Sequence, residues 1–520
     1  MPVADDFNLA RLADDCLARL GDHESLIFEG QTFRSAEMHG RARRVAGGLA
    51  DLGVEPGERI VVLMANCPEV LVSYNAIWRA GAVVTPVVFL TSAVELRHIL
   101  VNSGAVAIVT TPELLPIVVD AAAGEPALRH IIVAGAHSAT AASGGPRLVD
   151  FHDLEAAEPR PLVQRRDDDL AALMYTGGTT GRAKGVALSH ANLWSCARSA
   201  WQVAHVPGIT RMINPLPLSH AYGMIVTIIG MHADEPSVNV IQRWFNAAEW
   251  VALCEQHHSQ RTALVPAMVQ MILAEPLEDA ALYSLLYVGS GAAPLSLDVL
   301  HEFERRVPSC QILEGYGCTE TSAVISTNPP HRRRVGSVGV PIEDCTVRIV
   351  GDDDEVLRDG DDGEICARGP GVMAGYWNDP EETATVLRDG WLHTGDIGHV
   401  DSDGYIYVVD RKKDLILRGG FNVFPRDVED VLLSHPQVAM AGVVGRPDPR
   451  MGEEVVAFVS LRPGATTGAD ELIRYARSRL SPTKAPREIR ILGSIPLTSV
   501  GKLDRKALRA MVAPPPAAGG

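Results

Sequence analysis

Apolar positions along the chain follow two periods in turn. Near the N-terminus Leu9, Leu12 and Cys16, and then Val45, Leu49 and Leu52 behind a cap at Ser35, recur at helical spacing. Gly53-Val-Glu-Pro-Gly57 ends that helix, and Arg59-Ile-Val-Val-Leu63 reads as a buried strand. A helix over residues 71–78 and a strand over 82–86 follow, and the strand signal recurs at 106–109 and 131–134. Strands that are apolar throughout, separated by helix-length segments, predict a sheet covered on both faces. Residues 135–168, richer in Gly, Ser, Pro and charge, read as a looser surface passage.

The alternation resumes with helices over 191–203 and 248–257 and strands over 211–216 and 262–266. Tyr287-Val-Gly-Ser-Gly-Ala-Ala-Pro-Leu295 puts a glycine-rich turn at a strand end, before a helix through 299–303. In open α/β sheets such carboxyl-end loops line the binding crevice, so glycine-bearing loops at 177, 289 and 315 are expected to meet in one cleft. From 336 to 406 the pattern changes to short alternating segments, a smaller β-rich subdomain. A final unit begins near Arg411, with helices from about 426 and over 469–480. The expected fold class is therefore α/β: a large N-terminal domain of several subdomains over 1–410, then a small α+β C-terminal domain over 411–510. Residues 511–520, with three prolines, read as a disordered tail.

Asp and Glu outnumber Lys and Arg by 64 to 47, a formal charge of -17, which disfavours nucleic acid and anionic membranes as partners. No apolar run is long enough to span a bilayer. The eight cysteines are scattered without CxxC pairs, as in a reducing compartment, and Asp5 and Asp6 open the chain without a secretory pattern. A cytoplasmic location is expected. A homodimer is compatible with the sequence.

The chemistry concentrates in a few stretches. In Met174-Tyr-Thr-Gly-Gly-Thr-Thr-Gly-Arg-Ala-Lys-Gly185, Thr176, Gly177, Gly178, Thr179, Thr180 and Gly181 offer backbone N–H groups and hydroxyls, and Arg182 and Lys184 offer positive charge. That suits phosphate. It is not the P-loop of ordinary nucleotide hydrolases, because Gly185 follows Lys184 where Ser or Thr is required; a Gly/Thr-rich surface turn has the same composition. In Gln311-Ile-Leu-Glu-Gly-Tyr-Gly-Cys-Thr-Glu-Thr-Ser322, Tyr316 can lie against a purine, Glu320 can face a magnesium ion on ATP phosphates, and Thr319 can donate to phosphate or carboxylate. A core tyrosine beside a helix cap reads equally well.

Asp396, in Leu392-His-Thr-Gly-Asp-Ile-Gly398, can accept from ribose hydroxyls with Arg411 nearby, or can simply close an Asx turn. Lys502, after Gly501, can bring a mobile charge to an α-phosphate, or be solvated. His220 can polarise a carboxylate or shape an acyl pocket, or serve as a cap. No G-x-S-x-G elbow and no metal-ligand histidine cluster is present.

Taken in order, these motifs, with Asp410-Arg-Lys-Lys-Asp-Leu-Ile-Leu-Arg-Gly-Gly420, resemble the adenylate-forming superfamily of acyl-CoA synthetases, aryl-CoA ligases, luciferases and peptide-synthetase adenylation domains. The resemblance covers about residues 10–510. It implies a hinge near Lys413 and two half-reactions: an acid attacks the α-phosphate of magnesium-bound ATP, and a thiol then takes the acyl group and releases AMP. It also implies that residues 176–184 hold the β- and γ-phosphates. Gly291, Ala292, Ala293 and Tyr316 would hold adenine, Asp396 and Arg411 the ribose, and Thr319, Glu320 and Thr176 the phosphate and Mg2+.

Lys502 would serve adenylation, and the Gly419-Gly420 segment would flank the thiol after rotation. Gly178 and Ala183 depart from the family's loop, where serine and proline are common, and Glu314 stands where a small or amide residue is common. The expected acyl pocket is formed by parts of 220–224, Val265, Met268, 288–290 and 315–318, residues that are small, apolar or flexible. It suits a fatty or aryl acid. Coenzyme A is the expected acceptor, a carrier protein's phosphopantetheine arm the alternative, and a noncatalytic adenylate-binding module the least favoured reading.

Overall fold

Runs such as Ile60-Val-Val-Leu63 shed water only when both faces of their sheet are covered, and this requirement organises the first unit. The computed structural model describes residues 8–136, 145–176, 183–498 and 503–512. Two units emerge: Met1–Ala293 with Glu302–Val347 and Ala367–His393, and Pro294–His301 with Arg348–Cys366 and Thr394–Gly520.

The first unit holds two large sheets. One has eight strands in the order Gly375–Tyr376, Lys184–Ser189, Leu170–Thr176, Val83–Pro86, Arg59–Leu63, Ala107–Thr110, His130–Val133 and Arg147–Asp150. The other has nine, in the order Val340–Pro341, Ser326–Thr327, Gln311–Tyr316, Tyr287–Ser290, Arg261–Leu264, Arg211–Asn214, Val238–Ile241, Glu24–Phe28 and Gln31–Arg34. Periodicity announced most of these strands but not their division between sheets. The hairpin Glu24–Arg34 and the strand Val238–Ile241 carried too weak an apolar signal, and the passage expected over 135–168 contains the strand Arg147–Asp150 and the helix Phe151–Glu155.

Helices begin where polar side chains satisfy free N–H groups. Ser92 and Glu95 form a capping box at Ala93–Ser103, Ser189 and Asn192 another at His190–Ala204, and Pro68 starts Pro68–Arg79. Trp78, fully buried, donates from Nε1 to Ala171 O at 3.0 Å, and Asn8 Nδ2 donates to Trp78 O at 2.6 Å.

In the second unit Ile406–Arg411 pairs antiparallel with Trp391–Val400, a neighbour of Gly363–Arg368 in a five-stranded sheet. A further sheet runs Phe421–Val423, Ile416–Arg418, Gly452–Leu461, Val438–Asp448, with Glu488–Leu492 parallel to Gly452–Leu461. The helices Pro425–Leu433, Ala469–Arg477 and Arg505–Val512 cover it. Among the described residues no helix is long and apolar enough to cross a membrane, and all eight cysteines are free.

Candidate active site

Four adjacent strands of the nine-stranded sheet, Arg211–Asn214, Arg261–Leu264, Tyr287–Ser290 and Gln311–Tyr316, are mutually parallel in sequence order. Their carboxyl ends deliver the loops bearing His220, Val265, Gly291 to Ala293, and Cys318 to Glu320 to one edge. The loops of Gly289 and Gly315 thus lie together; residues 177–182, including Gly177, Gly178, Thr179, Thr180 and Gly181, lie outside the described residues, and their strand Leu170–Thr176 belongs to the other sheet.

His220 caps the helix Ala221–Gly230, its Nδ1 accepting from Tyr222 N at 3.2 Å. Its loop is held by the buried Asn66, whose Nδ2 donates to Leu216 O at 2.8 Å and whose Oδ1 accepts from Leu218 N at 2.8 Å. Gly223 is obligatory there, because a Cβ would sit 2.1 Å from Pro217 O. The Tyr222 hydroxyl donates to Gly289 O at 3.2 Å, and a Cβ on Gly291 would meet the Tyr222 ring at 3.6 Å and Gly315 O at 3.4 Å. Ala292, at φ 69, turns the chain sharply beside it.

Tyr316 pairs with Ser326 across an antiparallel bridge. Glu320 lies in a short 3-10 turn with Thr319, and Met373 N donates to its carbonyl at 2.8 Å. Beneath the turn, the buried Cys196 thiol faces the carbonyls of Thr321, Ser322 and Val324 at 3.4–3.6 Å.

The Glu320 carboxylate accepts from the Tyr376 hydroxyl at 2.8 Å. Burial, reinforced by Glu320, pushes the Tyr376 phenol well above its ordinary pKa, so it stays a donor. The Tyr376 ring in turn lies 5.2 Å from Lys184 Nζ, which is ion-paired with Glu382. Lys184 faces Thr176 across the hairpin. The C-terminal end of the Gly/Thr-rich stretch and the Glu320 turn are therefore linked through one tyrosine. Ala183 O accepts a 3.0 Å bond from His98 Nε2. Glu314 is buried in its strand, and its carbonyl accepts from Asn328 N at 3.0 Å and Nδ2 at 3.2 Å.

In the second unit Asp396 and Arg411 are register partners in antiparallel strands, with Arg411 Nε 3.2 Å from Asp396 Oδ1. Asp396 is fixed in its turn: its N donates to Thr394 Oγ1 at 3.1 Å, while Gly395 N donates to Glu364 Oε1 at 3.0 Å. Asp410 joins this hairpin to the helix Pro425–Leu433 by accepting from Arg426 N at 2.9 Å. Gly419 and Gly420, at φ 60 and 82, form the two-residue turn between Ile416–Arg418 and Phe421–Val423. Lys502 lies outside the described residues.

Residues 13–377 match the family described as AMP-binding enzyme, and residues 427–502 match the AMP-binding enzyme C-terminal domain. The chain belongs to this adenylate-forming family. A feruloyl-CoA synthase from Amycolatopsis sp is 36% identical over 95% of this chain and 96% of its own length. A long-chain-fatty-acid–CoA ligase from Bacillus subtilis (strain 168) is 31% identical over 96% and 94%. The crystal structure of ATP-bound MatB from Rhodopseudomonas palustris is similar with a TM-score of 0.86 at 29% identity, covering 97% of this chain and 99% of that one.

This adenylate-forming enzyme is thus an ATP-using ligase that acts on a small-molecule acid. Sequence reasoning passed over three of its positioning residues, Asn66, Tyr376 and Glu382. Asn66 stands alone in a loop without a motif. Tyr376 and Glu382 fall in the turn-rich stretch that was read only for strands, although Asp379-Pro-Glu-Glu is a legible helix start, with Asp379 capping Pro380–Val386.

Proposed function

We propose that this enzyme is an ATP-dependent carboxylic acid:CoA ligase for a hydrophobic, fatty or aryl acid, working through an acyl adenylate and then a thioester. The linkage of Lys184, Tyr376 and Glu320 carries the reading, because it gives one surface both a cation for phosphate oxygens and a carboxylate for the metal that accompanies them.

In this reading residues 176–184 bind the β- and γ-phosphates. Gly291, Ala292, Ala293 and Tyr316 receive adenine, whose plane needs the close backbone approach that glycine at 291 permits. Asp396, oriented by Arg411 and Thr394, accepts from the ribose hydroxyls. Thr319 and His220 orient the acid carboxylate. Lys502 neutralises charge during adenylation, and the Gly419-Gly420 turn serves thiol transfer. The division of labour falls between a domain over 1–410 and one over 411–510, with Lys413 at the hinge.

Magnesium fits this residue set. Among the described residues no three His, Cys, Asp or Glu side chains gather into an ion cage. A site with Glu320, Thr176 and oxygens from ATP itself is the arrangement magnesium favours, since the ion keeps water and phosphate ligands. Bound there, it would withdraw charge from the phosphates. The thiol arm of coenzyme A fits the turn at Gly419 and Gly420, where a Cβ on Gly420 would meet nothing within 4 Å and Leu417 and Phe421 stand exposed on either side.

The test is acid-dependent pyrophosphate release across short, medium, long and aromatic acids, followed by thioester formation with CoA or with a carrier bearing a phosphopantetheine arm. The reading expects acyl-CoA from a hydrophobic acid. Transfer to the carrier alone would replace the acceptor, and pyrophosphate release with no acid would refute the ligase.

A further inference from the structure

The strands Arg261–Leu264 and Tyr287–Ser290 run side by side, with Arg261 level with Tyr287 and Ala263 level with Gly289. Residues in register on neighbouring strands share a face of the sheet. On this face Arg261, Ala263, Tyr287 and Gly289 all keep partial solvent access, whereas the intervening Thr262, Leu264, Val288 and Ser290 are buried. This face of the two strands is therefore partly open along its length. Tyr222 lies across it: a Cβ on Gly289 would point at the Tyr222 hydroxyl, 3.3 Å away. The face runs from Gly291, at the proposed acyl pocket, toward the beginning of the strands, a span of roughly 13 Å over four residues.

Arg261 stands at the far end. Its Nη1 donates to Ala204 O at 2.9 Å, at the C-terminus of His190–Ala204, and its Cζ lies 5.8 Å from the Tyr287 ring centroid. Among the described residues no carboxylate pairs with it, unlike Arg41, Arg333 and Arg505, which all have one. Burial pushes its guanidinium below the ordinary pKa, opposed only by the phenols of Tyr222 and Tyr287. Without a counter-charge, and with a single helix-end carbonyl occupying one of its five donors, the guanidinium keeps donors available to a ligand.

We propose that Arg261 reads the distal end of the acid, so that the preferred substrate carries a hydrogen-bond-accepting oxygen, as a ring hydroxyl or a second carboxylate, opposite the carboxyl that is activated. This rests on the acid-ligase reading and narrows its substrate class. An acid that covers this donor without matching it leaves the group unpaired, so such a site discriminates strongly against the analogue lacking the acceptor, while an apolar pocket scarcely distinguishes the two. Ala263, Gly289 and the Tyr222 ring, along this face, accept the ring or chain between the two ends.

Two matched pairs test it with the full-length enzyme: cinnamic against 4-hydroxycinnamic acid, and octanoic against octanedioic acid. Pyrophosphate release is followed for the wild type, R261L and R261K. The oxygen-bearing member of one pair should be preferred by the wild type, which also tells a ring hydroxyl from a carboxylate. R261L should lower kcat/KM for that acid about 10- to 100-fold, chiefly through KM, and change its partner less than about 3-fold, with R261K retaining part of the preference.

Equal losses for both members of each pair would reduce Arg261 to a helix-end contact and overturn the proposal, as would a wild type without preference. Calorimetric binding of the same four acids reads the same selectivity without turnover. Selective binding with no pyrophosphate release from any acid would therefore defeat the ligase reading while upholding the role of Arg261.

Discussion

Tyr376 holds Glu320 by a 2.8 Å hydrogen bond while its ring lies 5.2 Å from the Lys184 ammonium. Y376F keeps the ring and removes only the hydroxyl. A charge-assisted bond of this kind contributes about 1.5–3 kcal/mol. With Glu320 the proposed magnesium ligand, Y376F should raise the magnesium concentration for half-maximal pyrophosphate release about 10-fold with little change in KM for the acid. E320Q should raise it further; an unchanged magnesium titration in both would remove Glu320 from the metal site.

Lys184 is ion-paired with Glu382, at the start of Pro380–Val386, so an incoming phosphate competes with a carboxylate for the same ammonium. E382Q should lower KM for ATP several-fold by ending that competition, and K184A should raise it at least about 10-fold. Steady-state kinetics in ATP reads both. A rise in KM with E382Q would mean that the pair orients the lysine for phosphate.

Much of this was legible in the sequence because strand interiors such as Arg59–Leu63 and loop motifs such as that of Glu320 obey local rules. The partition of strands between two sheets was not, since Leu170–Thr176 and Tyr287–Ser290 both read as short strands before a glycine-rich stretch and nothing local says which neighbours they choose. Asn66 and Arg261 were missed for a related reason. Their significance lies in partners more than a hundred residues away or in the lack of a counter-charge, neither of which is encoded by spacing.

Asp396 faces Arg411 across the hairpin at 3.2 Å and is itself buried. D396A should raise KM for ATP by about 10- to 100-fold, the cost of two hydrogen bonds to ribose. The loss should be much smaller when 2′-deoxy-ATP replaces ATP. Equal losses with both nucleotides would assign Asp396 to the turn alone.

His232 supplies a pH dependence. Burial, with the charges of Arg19 and Arg198, lowers its pKa to about 4 from 6.5. The folded form therefore binds this proton less readily than the unfolded one. The stability it contributes is complete above pH 6.5 and lost as pH falls toward 4, about 2 kcal/mol between pH 7.5 and 5. H232Q should lose less stability than the wild type over that interval in thermal or urea melts; parallel pH slopes would exclude the histidine.

Exchange of radiolabelled pyrophosphate into ATP is the most direct measure of the central claim, that this chain activates an acid by adenylation. Wild-type enzyme with magnesium should catalyse exchange only when a suitable acid is present, and K502A should suppress it while still transferring acyl groups from supplied acyl adenylate to the thiol. Exchange that never appears across fatty, aryl and dicarboxylic acids, or that proceeds without any acid, would contradict the account.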